Sequence, residues 1–376
     1  MYIPQRQLNN IKKIISPQKA VIVYGPRRCG KTTLLKEMLK DIKGEYLFVS
    51  GEDITVQEYL SSQSIEKLRN FLGRRKFLII DEAQKIKNIG INIKLMLDHI
   101  SDVKVVATGS SSFDLAKQIG EPLTGRKITL KMFPLAQLEL DKIQTRDKTD
   151  SLLEQRLVYG SYPEIVLSAD NNQKSIYLRE IVGSYLYKDI LELDGIRHSE
   201  KLVRLLQLLA FQIGKEVSCN ELGGQLSMSK NTVEKYLDLL EKAFVVFSLK
   251  GFSRNLRKEI SKNSRYYFYD VGIRNALVNN FNLLSMRDDV GMLWENYIII
   301  ERIKKQEYLQ KPANNYFWRT YDRKEIDFIE EKGGRLYGYE IKWAGKKGKV
   351  PTEWLETYKD SEGHVITKSN YLEFIT

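Results

Sequence analysis

The feature that most constrains this chain is a glycine-containing loop at residues 25–32, which separates a buried-strand pattern from a helix pattern. The apolar run at residues 21–24 precedes the loop, whose sequence is Gly-Pro-Arg-Arg-Cys-Gly-Lys-Thr, and helix-forming residues follow from Thr33. The pattern G-x-x-x-x-G-K-[ST] is typical of a phosphate-binding loop when it lies between a strand and a helix. The sequence therefore predicts a nucleotide site at the carboxyl end of a strand in an α/β domain.

The chemistry of the loop assigns roles to its residues. Glycines allow backbone N–H groups to wrap phosphate oxygens, and the N-terminus of the following helix adds partial positive charge. We expect the Lys31 ammonium to reach the β and γ phosphates of ATP, and the Thr32 hydroxyl to bind Mg²⁺. Further nucleotide contacts are predicted for the rest of the loop and the residue after it: Gly25, Pro26, Arg27, Arg28, Cys29, Gly30 and Thr33.

A second apolar strand pattern, at residues 76–80, ends in the two acids Asp81 and Glu82. Parallel strands deliver such residues to the sheet edge at which α/β proteins bind ligands. We expect Asp81 to hold Mg²⁺ through water and Glu82 to polarise the attacking water as general base. An alternative is that Asp81 caps a helix that begins at Glu82.

Arg126 ends the tetrapeptide Leu-Thr-Gly-Arg just before another strand pattern. We predict that it stabilises the charge of the phosphoryl-transfer transition state, either in its own chain or from a neighbouring subunit. A role in a neighbouring subunit implies that the protein forms oligomers. A surface arginine in a turn remains an equal alternative.

The order of patterns along the 376 residues predicts several domains, because one hydrophobic core rarely grows this large. Residues 20–135 alternate short apolar strands with helical stretches, as in an α/β sheet with parallel strands. The predicted strands are residues 20–24, 46–50, 76–80, 104–108 and 127–130. Changes in pattern place domain boundaries near residues 140, 200 and 252.

The region after residue 200 has the pattern of a compact helical unit. Leucines and an isoleucine recur at helical spacing in its first helix: Leu202, Leu205, Leu206, Leu209 and Ile213. A short helix near residues 220–226, a turn, a helix at 230–243 and a strand at 244–249 follow. This order predicts a winged helix-turn-helix.

DNA contact is one of two readings of this helical unit. Basic and polar residues would face DNA from the third helix and from the basic stretch after it: Ser229, Lys230, Asn231, Lys235, Arg254 and Arg257. Acidic residues on the same helix, Glu234, Asp238 and Glu241, would repel DNA. The alternative is a protein-packing module.

Two strand patterns near the carboxyl end flank Gly333-Gly334, a favoured two-residue hairpin turn. This turn places Asp327 opposite Glu340 and Glu325 opposite Lys342 on one face. Apolar residues are then expected on the other face, as the core: Ile326, Phe328, Tyr339, Ile341 and Trp343.

Asp327 and Glu340 would lie close enough to require a cation or a proton between them. Asp327 with Glu340-x-Lys342 resembles the motif of the PD-(D/E)xK nucleases. The resemblance implies a second Mg²⁺ or Mn²⁺ on the carboxylates, a role for Lys342 in activating water or stabilising the transition state, and Glu295 as an additional acid. Two alternatives are a solvated strand face, in which Glu325 pairs with Lys342, and a nuclease fold kept as a scaffold.

The charge balance favours a polyanionic partner, since 60 Lys and Arg face 48 Asp and Glu for a formal charge of +12. Basic residues scattered for solubility are the alternative. No apolar run approaches the ~20 residues of a membrane span, and the first residues lack a secretory apolar region. Two cysteines and three histidines provide neither a disulfide framework nor a zinc-site pattern, so we expect a reducing, cytoplasmic environment.

Several motifs together resemble one family: GPRRCGKT, LIIDEAQ, VVATGSSSFDL, LTGR and the GSYPE of residues 160–164. Nearly the whole chain is similar to prokaryotic AAA-type P-loop ATPases with a carboxy-terminal domain of unknown function 4143. The resemblance implies an α/β P-loop sheet, then a winged-helix unit, then an α+β restriction-endonuclease-like domain. It also places Thr108 and Ser110 where AAA-type ATPases keep a polar sensor of the γ phosphate.

The predicted division is an ATPase domain at residues 1–140, a helical lid or linker at 141–199, a winged helix at 200–252 and a nuclease-like domain at 253–376. The preferred function is a Mg²⁺-dependent, ATP-hydrolysing switch that associates with DNA and not with a membrane. One alternative is an ATP-gated nuclease that uses Asp327, Glu340 and Lys342. The other is a regulatory ATPase that binds a protein partner and no nucleic acid.

Overall fold

The computed structural model describes residues 2–110, 123–186, 199–253, 264–320, 324–343 and 348–376. The chain divides into two compact units. The first contains residues 1–135 and 242–244, and the second contains residues 136–241 and 245–376.

A parallel sheet of five strands forms the centre of the first unit. Its strands are β1 (Ala20–Tyr24), β2 (Tyr46–Ser50), β3 (Phe77–Asp81), β4 (Lys104–Gly109) and β5 (Lys127–Lys131). Each lies within one residue of its predicted bounds, which confirms the predicted parallel α/β sheet. Every residue of β1 is buried, as expected for a central strand that is covered on both faces.

Among the described helices of the first unit, the first precedes β1 and the others lie between β1 and β4. They are α1 (Arg6–Ile14), α2 (Lys31–Leu39), α3 (Ile54–Leu60), α4 (Ile65–Leu72) and α5 (Ile89–His99). Local chemistry sets two of their starts, since Asp53 accepts backbone N–H groups at the start of α3 and Ser64 does so at the start of α4. Leu34 and Leu35 of α2 are fully buried in the core that covers the sheet.

The order of strands in this sheet is β2-β3-β4-β1-β5. β4 therefore lies between β1 and β3, and the carboxyl ends of all three strands meet at one edge. That edge carries the loop after β1, the acids at the end of β3 and the polar residues at the end of β4. The topology thus assembles one site from segments far apart in the sequence.

A mixed sheet of seven strands forms the centre of the second unit, in the order β12-β11-β10-β9-β7-β8-β6. Its strands are β6 (Glu216–Val217), β7 (Val246–Gly251), β8 (Ser264–Phe268), β9 (Asn314–Arg319), β10 (Glu325–Lys332), β11 (Arg335–Ile341) and β12 (Ser361–Ile366). β7 pairs antiparallel with β8 and parallel with β9. The predicted boundary near residue 252 therefore falls between two strands of one sheet.

The second unit is also rich in helices. They are α6 (Gln137–Leu140), α7 (Arg146–Tyr159), α8 (Pro163–Leu167), α9 (Asn171–Glu180), α10 (Ser199–Phe211), α11 (Cys219–Leu226), α12 (Lys230–Lys242), α13 (Val271–Leu277), α14 (Val290–Tyr308), α15 (Thr352–Thr357) and α16 (Tyr371–Ile375). Among the described residues, none of the helices has both the length and the apolar stretch needed to cross a membrane.

The helices predicted after residue 200 are present, and with the strands around them they follow the order α10, β6, α11, α12, β7, β8. The leucine stripe of α10 is buried, as predicted. Two details differ from the sequence pattern. The two-residue strand β6 is too short for a periodicity signal, and β7 begins at Val246 rather than Phe244 because Phe244 has a left-handed backbone with φ 58°.

The predicted hairpin joins β10 and β11 through Gly333 and Gly334, whose φ angles are both positive at 58° and 79°. The pairs from Phe328–Tyr339 to Lys332–Arg335 have the predicted register, but the pairing between β10 and β11 does not extend to the predicted pairs Asp327–Glu340 and Glu325–Lys342. The predicted apolar face, however, is wrong at Ile326.

Pairing of β10 with β9 shifts by one residue between Ile326 and Ile329, as in a β-bulge. Because the bulge interrupts strand alternation, Ile326 and Phe328 do not share a face. Ile326 packs with Ile329 and Trp354, whereas the Phe328 ring contacts the Tyr339 ring. Both faces of the hairpin are therefore covered.

Candidate functional site

The loop between β1 and α2 has the close backbone approaches that its glycines permit. A Cβ atom on Gly25 would lie 2.2 Å from the carbonyl oxygen of Met132, so no other residue fits there. Gly30 has φ 101°, which L-residues rarely adopt. These two positions shape a loop that ends at the N-terminus of α2.

Lys31 is the first residue of α2 and is only 4% exposed. Its ammonium donates hydrogen bonds to the carbonyl oxygens of Gly25, at 2.9 Å, and Pro26, at 2.8 Å. The cation is therefore held inside the curve of the loop, where a phosphate oxygen would meet it.

Asp81, at the end of β3, accepts hydrogen bonds on both carboxylate oxygens. The Thr32 hydroxyl donates to Oδ2 at 2.6 Å, and the Thr108 hydroxyl donates to Oδ1 at 2.5 Å. These three residues come from α2, β3 and β4. The structure thus brings together the predicted magnesium ligands, Thr32 and Asp81, and the predicted sensor Thr108.

Glu82 follows with a left-handed backbone, φ 52°, which is uncommon for a residue other than glycine. Its N–H donates to the Thr108 hydroxyl at 3.2 Å. Its carbonyl oxygen lies so close to Gly51 that a Cβ atom on Gly51 would be only 2.3 Å from it. These contacts turn the chain sharply after Asp81, so the Glu82 side chain leaves the strand direction.

Gln84 was missed by sequence reasoning. Its side-chain amide donates to Glu82 Oε2 at 2.5 Å and to the Ser110 hydroxyl at 3.0 Å. The amide therefore connects the predicted general base to the second predicted sensor residue. Its position two residues after the acid pair was the available sequence signal.

The remaining loop residues differ in how they face the site. The Cys29 side chain is fully buried in the apolar core, so only its backbone is available to a nucleotide. Arg28 and Thr33 are exposed, and Arg27 is half-buried.

The donor set fits ATP and Mg²⁺. A hydroxyl and a carboxylate are the oxygen ligands that Mg²⁺ prefers, and Thr32 and Asp81 are already in contact. A helix N-terminus and a buried ammonium suit the charge of phosphates. Both predicted cofactors are therefore compatible with the residues at this edge.

Arg126 does not belong to this edge. Its backbone carbonyl accepts from the Ala20 N–H at 2.9 Å, which places it beside the first residue of β1. Its guanidinium pairs with Asp98 at 2.8 Å. Because parallel strands keep their starts at the opposite edge from the phosphate loop, the predicted role of Arg126 in its own chain is wrong; a role in a neighbouring subunit stays a prediction.

The predicted nucleic-acid contacts lie at the amino end of α12. Ser229, Lys230, Asn231 and Lys235 are all exposed. Lys230 is 3.4 Å from Glu234, one turn further along the helix. The other two predicted contacts, Arg254 and Arg257, lie outside the described residues.

The second predicted site assembles around Asp327 on β10 and Glu340 on β11. Lys342 Nζ lies 2.5 Å from Glu340 Oε1 and 3.9 Å from Asp327 Oδ2. Asp327 Oδ2 also accepts the Ile341 N–H at 2.8 Å. Glu295, on α14, joins the cluster through its electrostatic interaction with Asp327.

Burial and mutual repulsion shift the acids of this cluster. Burial, reinforced by the charge of Asp327, raises the pKa of Glu295 to about 8 and that of Glu340 to about 7. Burial also raises the pKa of Asp327, although Lys342 opposes the shift. Protons are therefore retained in this cluster near neutral pH.

Two further members of the cluster were missed by the sequence. Arg265 pairs with Glu325 at 2.6 Å and lies 3.9 Å from Asp327. The Tyr267 hydroxyl donates to Glu295 Oε1 at 2.6 Å. Their i, i+2 spacing on β8 puts both on one strand face, but nothing in the sequence indicates which strand they meet.

These partners change the interpretation of Glu325, which binds Arg265 rather than Lys342. Throughout the described ranges, no group of three or more His, Cys, Asp or Glu side chains is arranged to hold a metal ion. The cluster therefore combines acids with basic and phenolic partners.

Three segments of the chain match known families. Residues 17–141 match a family described as AAA domain, residues 150–284 match Domain of unknown function (DUF8612), and residues 290–374 match Domain of unknown function (DUF4143). The chain therefore combines an AAA domain with a carboxy-terminal DUF4143 domain. The AAA domain match over residues 17–141 supports a nucleotide-binding ATPase.

Similar proteins include three uncharacterized ones. A Mycobacterium tuberculosis protein is 25% identical over 88% of this chain and 72% of its own length. A Methanocaldococcus jannaschii protein is 27% identical over 83% of this chain and 72% of its own length. A Haemophilus influenzae protein is 24% identical over 94% of this chain and 89% of its own length.

A solved structure with similarity is a Signal Transduction ATPase with Numerous Domains (STAND) protein with a tetratricopeptide repeat sensor, from Pyrococcus horikoshii. The match has 12% identity and a TM-score of 0.30, and it covers 81% of this chain. It spans 46% of that protein's length.

Proposed function

We propose that the protein is a Mg²⁺-dependent, ATP-hydrolysing switch. The contact that carries this proposal is Asp81, which accepts from Thr32 on one oxygen and from Thr108 on the other. One carboxylate thus links the start of α2 to the end of β4. A change in the ligands of Asp81 therefore alters its hydrogen bond with Thr108, near the end of β4.

Within this proposal, Glu82 accepts the proton of the attacking water. Its Oε2 is held by Gln84, which leaves Oε1 to act on the water. Lys31 neutralises phosphate charge, and Mg²⁺, when bound, adds charge stabilisation at the phosphoryl group.

Calorimetry with ATP and Mg²⁺ tests the first part of the proposal. We expect saturable ATP binding that disappears in Lys31→Ala, together with release of inorganic phosphate by the unchanged protein. Wild-type protein that binds no ATP with Mg²⁺ present would overturn the proposal.

We also propose that the carboxy-terminal half associates with DNA. The support is the winged-helix order of α10 to β8 and the exposed Ser229, Lys230, Asn231 and Lys235 at the start of α12. The first turn of such a helix is the part that enters a major groove. The formal charge of +12 favours the same class of partner.

Salt dependence is the test of DNA association. We expect duplex DNA affinity to fall steeply between about 50 and 200 mM salt, because phosphate contacts release counterions. Lys230→Ala with Lys235→Ala should weaken binding and reduce the salt slope by up to about 2.

The matched control is Lys67→Ala with Lys94→Ala, which removes the same charge from exposed positions of the first unit. An equal loss of affinity in this control would leave only general charge attraction and contradict a specific role for α12. No binding at low salt would remove DNA from the proposal.

A second candidate function is metal-dependent nucleic-acid cleavage. The observation that favours it is Glu340, which is 8% exposed and whose Oε2 is buried with no hydrogen-bond partner in the described structure. A buried carboxylate oxygen without a donor is costly and is the kind of atom that a cation satisfies. The absence of a three-ligand group in the described ranges counts against it.

Cleavage of DNA or RNA with Mg²⁺ or Mn²⁺ tests this candidate. Asp327→Asn and Glu340→Gln should each remove cleavage while ATP hydrolysis continues. Metal titration in the Lys31→Ala background separates this site from the nucleotide Mg²⁺. No cleavage and no second metal-binding event would leave the cluster as a scaffold.

A further inference from the structure

The segment before α1 contacts the phosphate loop from the side of β5. Gln5 is 6% exposed, and its side-chain nitrogen donates to the carbonyl of Cys29 at 3.2 Å. That nitrogen is so close that a Cβ on Gly30 would approach it to 2.7 Å. Gln7, in the first turn of α1, donates to the carbonyl of Lys131 at 2.6 Å. The segment is therefore anchored on the loop and on the end of β5.

The strand order decides which end of a nucleotide this segment meets. β1 is flanked by β4 on one side and by β5 on the other. Asp81 and Thr108, on β3 and β4, mark the side of the terminal phosphate. Because a nucleoside triphosphate is linear, its nucleoside leaves the loop toward the opposite side, where β5 and Gln5 lie.

One atom of Gln5 is left without a partner. Its side-chain oxygen, Oε1, is buried and accepts no hydrogen bond in the described structure. Burying an amide oxygen without a donor is unfavourable, so such atoms in native proteins call for an explanation. A donor brought by a ligand supplies one.

We infer that Gln5 reads the nucleobase and that its Oε1 accepts the exocyclic 6-amino group of adenine. The inference rests on the proposed ATP site and adds a residue that selects the base. Before a base enters, the bond from Nε2 to Cys29 sets the direction of Oε1 relative to the loop. Since Oε1 is enclosed, the side chain turns about its last torsion as the base enters. The same Gln5 amide would therefore contact both the phosphate loop and the base, so selection of the base depends on the geometry of the loop.

A nucleotide series on the full-length protein tests the inference by calorimetry. ATP should bind about tenfold more tightly than purine riboside triphosphate, which lacks only the 6-amino group, since one hydrogen bond of about 1.4 kcal/mol gives that factor. Inosine triphosphate should bind more weakly still, because its 6-oxygen faces Oε1 without a proton between them. Equal affinity for ATP and purine riboside triphosphate overturns the inference while ATP binding stands.

Variants of Gln5 and Gln7 test which residue distinguishes ATP from purine riboside triphosphate. Gln5→Met keeps the side-chain length but has no amide, so the ratio between the two nucleotides should fall to about 1. Gln5→Glu keeps an acceptor, so it should retain the ratio while weakening both nucleotides. Gln7→Met is the control, since it removes an anchor of the same segment, and its ratio should match the wild-type value.

Thermal unfolding establishes that each variant is folded. A wild-type ratio in folded Gln5→Met overturns the role of Gln5, and so does a ratio lost equally in Gln7→Met. Failure of the wild-type protein to bind any of the three triphosphates instead defeats the proposed ATP site, which keeps the two failures apart.

Discussion

Buried acids are stabilised differently at two places, which we call the nucleotide edge, where Thr32, Asp81 and Thr108 meet, and the carboxylate cluster of Glu295, Asp327 and Glu340. Asp81 is 7% exposed, and neutral hydroxyls satisfy its two oxygens. Asp327 is 3% exposed, and it lies between the cations of Arg265 and Lys342. Three further acids lie nearby: Glu295, Glu325 and Glu340. The first arrangement satisfies a buried acid with neutral donors, whereas the second crowds like charges.

The difference has a consequence for ligands. Hydroxyl donors give way easily, because an oxygen that donates to Asp81 can instead bind a metal. In the carboxylate cluster, salt bridges already provide cations, and the raised pKa values of the acids mean that protons stay bound. At the nucleotide edge, the hydroxyl contacts of Asp81 can therefore be exchanged for a metal ion. The carboxylate cluster keeps its charges balanced unless a metal ion displaces its protons.

The largest effect that tests this comparison is expected at Lys31. Lys31→Ala removes the cation that the loop carbonyls hold in place, so ATP affinity should fall more than about 100-fold. Lys36→Ala, an exposed lysine of the same helix, should leave affinity unchanged. Isothermal titration decides between these outcomes, and a Lys31 variant with near-normal affinity contradicts the assigned loop geometry.

A second test separates binding from hydrolysis. Glu82→Gln removes the proton acceptor but keeps the shape, so ATP should still bind while kcat falls by about 10²–10⁴-fold. Phosphate release under saturating ATP measures kcat. A parallel loss of ATP affinity would show that Glu82 supports the fold of the edge rather than the reaction.

Gln84 allows a test of whether the orientation of the Glu82 carboxylate affects the rate of hydrolysis. Gln84→Ala frees Glu82 Oε2 from its donor, so kcat should fall by about tenfold with KM unchanged. The matched comparison is Ser110→Ala, which removes the other contact of the same amide. Unchanged kcat in Gln84→Ala would mean that the backbone turn alone orients Glu82.

A smaller effect is expected from pH at the carboxylate cluster. Glu295 and Glu340 have folded pKa values of about 8 and about 7, above the ordinary 4.5, so the folded protein binds more protons than the unfolded chain between these values. Their contribution to the free energy of unfolding is therefore present below about pH 5 and is lost as pH rises toward 8.

Glu340→Gln removes one of these titrating groups. Its Tm should fall less than that of the wild type between pH 5 and pH 8, by a few degrees at most. Thermal unfolding of both proteins at the two pH values measures the difference. Identical pH dependence would show that Glu340 ionises normally.

The smallest effect is expected at Arg126. Arg126→Ala breaks an exposed ion pair with Asp98, which contributes about 1 kcal/mol or less. Because Arg126 lies at the far edge of its own sheet, kcat at low protein concentration should be unchanged. A fall in kcat that grows with protein concentration would instead reveal the role in a neighbouring subunit.

Much of the nucleotide site could be predicted because its parts are local. The spacing of Gly25, Gly30 and Lys31, and of Asp81 after an apolar run, specifies both backbone shape and chemistry within a few residues. The Gly333-Gly334 turn likewise determined the register of β10 with β11. Strand bounds followed from runs of apolar residues, since a buried strand cannot hold unpaired charge.

Only the tertiary structure decided which distant segments meet. The parallel direction of β5 placed Arg126 at the far edge, and a side-chain hydrogen bond brought Gln5 to the loop. The bulge in β10 separated Ile326 from Phe328. The pairing of Arg265 with Glu325 likewise depends on contacts across some 60 residues of chain. Local patterns cannot specify such contacts, because each residue's secondary structure is compatible with many partners until the sheet order selects one.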